Sequence, residues 1–167
     1  MLDKLVAKAR KGDKSAFNEL ILYYQNDMYR IARSRLNCED DICDAIQETI
    51  LSAYQSIHKL IKIKSFKSWL IKILINNCNK IYKFNKNETY IYTENDLDLS
   101  YSLDSNMEFI NLMNSLSREE RTICILYYQD RYSTKEISKI LGINHNTIRS
   151  KILRAKQKLE NDIKEVL

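Results

Sequence analysis

Apolar residues recur at helical spacing through most of the chain. Leu2, Leu5, Val6 and Ala9 form a first short stripe. Lys11-Gly12-Asp13 closes it, with the glycine ending one helix and the aspartate capping the next. From Ser15 onward, Phe17, Leu20, Ile21, Tyr24, Met28, Ile31, Ala32 and Leu36 keep a 3.6-residue period. Glu39, Asp40 and Asp41 stand where a third helix would start, favourable to its dipole, and Ile42, Ala45, Ile46, Ile50, Ala53, Tyr54 and Ile57 continue it. A fourth helix is predicted from near Ser65. It carries Phe66, Trp69, Leu70, Ile73 and Leu74 on one side and Lys67, Lys72, Lys80 and Lys83 among the rest. Residues 1–85 are therefore expected to form a four-helix module.

The period is lost between Asn85 and Asp104, where Asn, Thr, Ser and acids surround isolated Tyr and Leu. Residues 86–104 read as a linker. Twenty such residues could reach roughly 65 Å at about 3.3 Å each, and compact domains seldom contain so long a structureless loop. Helical spacing returns in residues 105–167. One helix is expected from Asp104 through Leu116. Ser117-Arg118-Glu119-Glu120 has the form of a capping box, and the helix behind it carries Ile123, Leu126 and Tyr127. Ser133 or Thr134 starts another, with Ile137, Ile140 and Leu141 inward. Gly142 ends it, Ile143 packs, and Asn144 caps a last helix bearing Ile148, Ile152, Ala155 and Leu159.

Composition supports this reading. Two glycines and no proline in 167 residues leave hairpin turns without their usual residues. The expected fold is all-α, with two small helical domains joined by a flexible acidic linker. Charge divides along the same lines. Residues 1–85 carry 15 basic and 9 acidic side chains, a net +6. Residues 86–108 carry net −5, and residues 109–167 net +4. Two basic blocks around an acidic bridge suggest two modules that meet polyanions.

Other chemistries find little support. The N-terminal apolar run is too short for a signal peptide, and no stretch is apolar enough for a membrane span. Cys38, Cys43, Cys78 and Cys124 have no metal-ligand spacing, and only His58 and His145 could supplement them. They are expected to be buried thiols acting as small hydrophobes. No nucleophile–base pair and no phosphate-cradling glycine loop is legible. The expectation is a cytoplasmic, non-enzymatic protein with no cofactor, no metal and no small-molecule substrate.

The segment Thr134–Arg149 has the form of a helix-turn-helix. Ile137, Leu141, Ile143 and Ile148 supply the wedge between two helices, Ser138 is small where they approach, and Gly142 permits the turn. The outer face of the second helix then offers His145, Asn146, Arg149, Ser150, Lys151 and Arg154. An α-helix fits the major groove, where these side chains read base edges or hold phosphates. The bland alternative is a helix hairpin with a solvated basic face.

Asp41–Leu51 and Ser65–Asn76 together resemble region 2 of sigma factors of the extracytoplasmic-function (ECF) type, within the sigma-70 family. Lys11–Phe17 and Leu20 are similar to that family's opening region. Leu116–Arg121, the helix-turn-helix and Arg149–Lys156 are similar to its region 4. The resemblance covers nearly the whole chain in the family's order.

That resemblance implies a role for each module. Asp44, Gln47 and Glu48 match the positions that dock on core RNA polymerase. Region 2 would also recognise and open the minus-ten element of promoter DNA. Single-strand capture wants base pockets and a cationic path, for which Lys62, Lys64, Lys80 and Lys83 supply charge and Asn76 and Asn79 supply base-edge groups. Lys59, Lys67, Lys72 and Asn77 are further candidates. Trp69 fits a core stripe with Phe66 and Ile73, with base stacking as its alternative, while Tyr82 and Phe84 are stacking candidates. His145, Asn146, Arg149, Ser150, Lys151 and Arg154 would face the minus-thirty-five element, and Lys156 and Lys158 phosphate or solvent. The acidic linker would run through polymerase's basic interior, and a membrane-bound anti-sigma factor is implied as a partner. Two departures stand out. His58–Lys64 replaces the family's glycine-bearing loop, and His145-Asn146 replaces its common acid-glycine pair. A freestanding helix-turn-helix regulator that needs no polymerase is the competing reading.

Overall fold

The computed structural model describes residues 1–87 and 113–166, with side chains through Lys164. Two compact helical units result, divided between the two stretches. The described residues contain seven α-helices and no strand. Residues 88–112, which hold most of the expected linker and of the helix expected from Asp104, lie outside the described residues.

The first unit comprises α1 (Leu2–Arg10), α2 (Lys14–Arg35), α3 (Glu39–Ser56) and α4 (Phe66–Asn87). α4 runs to Asn87, two residues past the boundary expected at residue 85. Gly12 adopts φ +97° after α1, and the Asp13 carboxylate accepts the Ala16 N–H at 3.0 Å, starting α2. Such a cap contributes about 1 kcal/mol. Between α3 and α4 the chain makes two short 3₁₀ turns, Ile57–Lys59 and Ile63–Ser65, and α1 packs against both.

Leu20, Met28 and Ile31 of α2, Ile42 of α3, and Phe66, Leu70, Ile71 and Leu74 of α4 are sealed from solvent. Each such side chain stabilises the unit by about 1.5–3 kcal/mol. The buried side chains of Asn77 and Thr49 are satisfied in a chain. The Asn77 amide donates to the Thr49 hydroxyl at 3.1 Å, which donates to the Ala45 carbonyl at 2.6 Å, tying α4 to α3. Asp27 of α2 accepts from Arg30 at 2.6 Å and from Lys67 of α4 at 2.9 Å.

The second unit comprises α5 (Arg118–Cys124), α6 (Thr134–Leu141) and α7 (His145–Val166). Met113, Leu116, Cys124 and Ala155 form a small cluster, with Ile125 and Leu159 against it. Ile123, Leu126, Ile137 and Ile148 are fully buried. Ser117 caps α5 through the expected capping box with Glu120, and Ser133 caps α6 through a second box with Glu136. α5 does not continue as a regular helix through Tyr127. It widens into a π-turn over Ile125–Gln129, which keeps Leu126 inside and turns Tyr127 outward, edge-on to Tyr128 at 4.9 Å between centroids.

Candidate nucleic-acid and protein interfaces

α3 faces the core with Ile42, Ala45, Thr49 and Ala53. The opposite face carries Asp44, Gln47, Glu48 and Leu51, spaced at i, i+3, i+4 and i+7 and all exposed. Residues at this spacing share one surface. Of the other acids of this helix, Glu39 and Asp41 have partners. Glu39 accepts from Tyr29 at 3.1 Å and from Arg33 at 3.3 Å, and Asp41 accepts from Asn85 at 2.8 Å. Asp44 and Glu48 make no ion pair among the described residues, leaving two carboxylates beside an apolar Leu51 that is 51% exposed.

A second surface is cationic. Lys72, Asn76, Lys80 and Lys83 form one exposed stripe along α4, with the aromatic rings of Tyr82 and Phe84 also in solvent near its end. Lys62 and Lys64 are exposed on the turn before α4. Leu60 is buried and anchors that turn, and Arg10 donates to the Ile61 carbonyl at 3.4 Å. Anchoring by an apolar plug and an arginine is how this glycine-free stretch keeps its course.

Two of the asparagines differ from expectation. Asn79 is half-buried, and its oxygen accepts from the buried Arg35 at 2.7 Å. Asn77 is buried against Thr49. Both brace the helices from inside, because α4 turns 100° per residue and only Asn76 of the three falls on the outer stripe. Trp69 lies at the core margin, half-buried, with its ring centroid 5.8 Å from Phe66. Lys67 points to Asp27.

The helix-turn-helix is built as its sequence suggests. Gly142 takes φ +68°, and the N–H groups of Gly142 and Ile143 both return to the Ser138 carbonyl, at 2.9 and 3.2 Å. The Ser138 hydroxyl donates to the Ile143 carbonyl at 2.5 Å, a bond that needs a small polar side chain at this position. Ile137 and Ile148 close the wedge. The Asn144 side chain accepts the Asn146 N–H at 2.9 Å, capping α7.

Asn146, Arg149, Ser150 and Arg154 are exposed on α7. Asn146, Arg149, Ser150 and Leu153 line one shallow open depression. The other two expected members of this row point elsewhere. His145 is half-buried, its Nε2 2.7 Å from the Thr134 hydroxyl, so it joins the first turns of α6 and α7. Lys151 reaches Glu119 of α5 at 3.3 Å. Lys158, expected at phosphate or solvent, instead binds the buried Glu120 at 3.0 Å. Burial alone would raise the Glu120 carboxyl, but the Ser117 N–H and the Lys158 ammonium hold it below the usual carboxylate range. The hydroxyl and N–H of Ser133 likewise hold Glu136 low.

The cysteines divide. Cys78 and Cys124 are buried as expected, while Cys38 and Cys43 are exposed at the start of α3. Burial, with Glu120 nearby, pushes the Cys124 thiol up to about 11. The sequence reading also missed Leu51 and Leu153, apolar side chains set within polar faces. Each follows directly after an isoleucine of the inward stripe, and that displacement is the signal that marks them.

Residues 20–87 match the Sigma-70 region 2 family, and residues 106–159 match Sigma-70, region 4. The ECF RNA polymerase sigma-E factor of Haemophilus influenzae is 28% identical over 98% of this chain and 95% of its own length. RNA polymerase sigma factor SigV of Bacillus subtilis is 27% identical over 89% of this chain and 91% of its own length. Among solved structures, CnrH in complex with the cytosolic domain of CnrY shares the fold with a TM-score of 0.73. It is 22% identical, over 98% of this chain and 97% of CnrH. The sigma factor RpoE of Bartonella quintana, in complex with the anti-sigma factor NepR, also gives 0.73. It is 23% identical, over 89% of this chain and 96% of RpoE.

The helix-turn-helix together with the family matches marks a DNA-binding transcription factor. The chain belongs to the sigma-70 family and is an ECF-type sigma factor that directs transcription initiation.

Proposed function

We propose that residues 1–87 dock on core RNA polymerase and open the minus-ten element, and that residues 113–166 read the minus-thirty-five element. The observation that carries this is the division of exposed polar groups that bond to no other helix. α3 exposes Asp44 and Glu48 with no ion pair among the described residues, while the outer face of α7 exposes Asn146, Arg149, Ser150 and Arg154. Asp44, Gln47 and Glu48 meet basic groups of the polymerase around Leu51. Lys62, Lys64, Lys80, Lys83 and Asn76 follow the melted strand, and Tyr82 and Phe84 offer stacking surfaces. Asn79 acts through Arg35 rather than on a base. On duplex DNA, Arg149 pairs with a guanine edge while Asn146, Ser150 and Arg154 complete the reading face. His145 and Lys151 hold α7 at its working angle through Thr134 and Glu119.

In this role the protein is a non-catalytic subunit acting in the cytoplasm. Its residues 86–104 are a tether that carries most of the segment's −5 charge past basic polymerase surfaces. Of the solved structures that share the fold, RpoE is described with the anti-sigma factor NepR, and CnrH with the cytosolic domain of CnrY. An anti-sigma protein, membrane-bound, is the corresponding proposed partner here.

The test is reconstitution. Purified chain added to core RNA polymerase from its own species should start transcripts at discrete genomic promoters. The double variant Asp44→Ala with Glu48→Ala should lose polymerase binding while keeping its helical content. A chain that supports no promoter, yet binds palindromic duplex without polymerase, overturns the proposal in favour of a freestanding regulator.

A further inference from the structure

Arg131 is the one non-glycine residue with positive φ among the described residues, at +60°. It lies where the π-turn ends. The Asp130 N–H returns to the Ile125 carbonyl at 3.0 Å and the Tyr132 N–H to the Leu126 carbonyl at 2.9 Å. This left-handed position after a helical turn ordinarily takes glycine or asparagine, because a Cβ there crowds the backbone. The chain keeps an arginine in that conformation, although neither neighbouring bond involves its side chain. The guanidinium is exposed and makes no hydrogen bond or ion pair among the described residues. Neither packing nor charge pairing within the unit accounts for it.

Its position suggests what does. Arg131 lies two residues before Ser133, the cap of α6, and three before Thr134. Thr134 is 2.7 Å from His145, the first residue of the reading helix. The starts of α6 and α7 are therefore side by side, and Arg131 lies on the turn that leads directly into the first of them. In helix-turn-helix docking the reading helix leads with its N-terminal residues while the helix before it crosses the backbone. From these placements we infer that Arg131 is a phosphate contact, gripping the DNA backbone beside the groove that α7 reads. Because it touches no base edge, it contributes affinity and register equally on every sequence. This rests on the proposed reading of duplex DNA by residues 113–166.

The test uses the full chain assembled with core RNA polymerase and a promoter duplex obtained by mapping its transcript starts. Arg131→Gly relieves the left-handed strain, so it should fold and unfold a few degrees higher than the parent. Losing one phosphate contact should weaken duplex binding about fivefold at 0.15 M salt and reduce the log–log salt slope by about 0.9. The loss should be the same on promoters of different sequence, and Arg131→Lys should keep the slope. A purely structural arginine would move the midpoint and leave the slope unchanged. If Arg149→Ala loses affinity but Arg131→Gly keeps both affinity and slope, the Arg131 contact is overturned alone. If both bind as the parent does, the assignment of duplex reading falls and this contact falls with it.

Discussion

The four-helix unit and the helix-turn-helix unit support their outer faces by different means. Behind Asp44, Gln47 and Glu48 lies an extensive core from three long helices, with Leu20, Met28, Ile31, Ile42, Leu70, Ile71 and Leu74 sealed. Behind Arg149 and Ser150 lies a smaller core, in which Ile123, Leu126, Ile137 and Ile148 are fully buried. Polar ties supply much of the rest: Ser138 to Ile143, His145 to Thr134, Lys151 to Glu119 and Lys158 to Glu120. The docking face rests mainly on hydrophobic mass, with Asn77 to Thr49 and Asn79 to Arg35 as polar ties beneath it. A reading helix must also be held at one angle, and directional bonds do that beside a smaller core.

The largest effect should come from this smaller core. Ile148→Ala removes a fully buried side chain and should cost about 2–5 kcal/mol. The thermal transition of the helix-turn-helix unit should fall steeply while that of the four-helix unit stays in place. A single transition moving as one would show that the units do not unfold separately. Next, Asn77→Ala should destabilise the four-helix unit by about 1–3 kcal/mol by breaking the bond to Thr49. Its helical content at 25 °C should survive, since the surrounding core remains, and urea titration measures the loss.

A smaller effect should separate the units by pH. Glu120 and Glu136 have carboxyls held below their unfolded value of 4.5. Their contribution is therefore fully present above about pH 4.5 and is lost as pH falls through the lower folded value. The helix-turn-helix unit should melt earlier on acidification, and Glu120→Gln should flatten that dependence at a loss of about 1 kcal/mol near neutrality. An unchanged acid profile in the variant would remove the clamp from the account. The smallest perturbation is chemical labelling. At pH 8 in the folded protein, Cys38 and Cys43 should react with a soluble disulfide reagent, while Cys78 and Cys124 should react only after unfolding. Four thiols reacting together would contradict the burial of the latter two.

Much of this organisation is legible in the linear chain. Each capping box is written as serine followed three residues later by glutamate, and Gly142 marks a turn that its left-handed φ requires. The apolar period locates the core-facing residues of α2 almost one for one. In α3 it finds Ile42, Ala45 and Ala53, but Ile46 and Ile50 are half-buried, Tyr54 is exposed, and Thr49 is buried in the stripe instead. The π-turn at Ile125–Gln129 has no such mark, since Ile, Leu and Tyr continue a regular period equally well. The exposure of Cys38 and Cys43 was equally hidden, because thiols follow whichever face the helix start presents.

By itself, the sequence determined the helices, their caps, the turn of the DNA reader and the division of charge, because these depend on neighbours within four residues. Only the tertiary structure decided which polar side chains remain free to meet a partner. Asn79 and Asn76 look alike in the chain, as do Lys151 and Arg154. One of each pair turns inward to Arg35 or Glu119, partners 44 and 32 residues away. Pairing over such distances follows from how helices pack together, and local spacing carries no record of it.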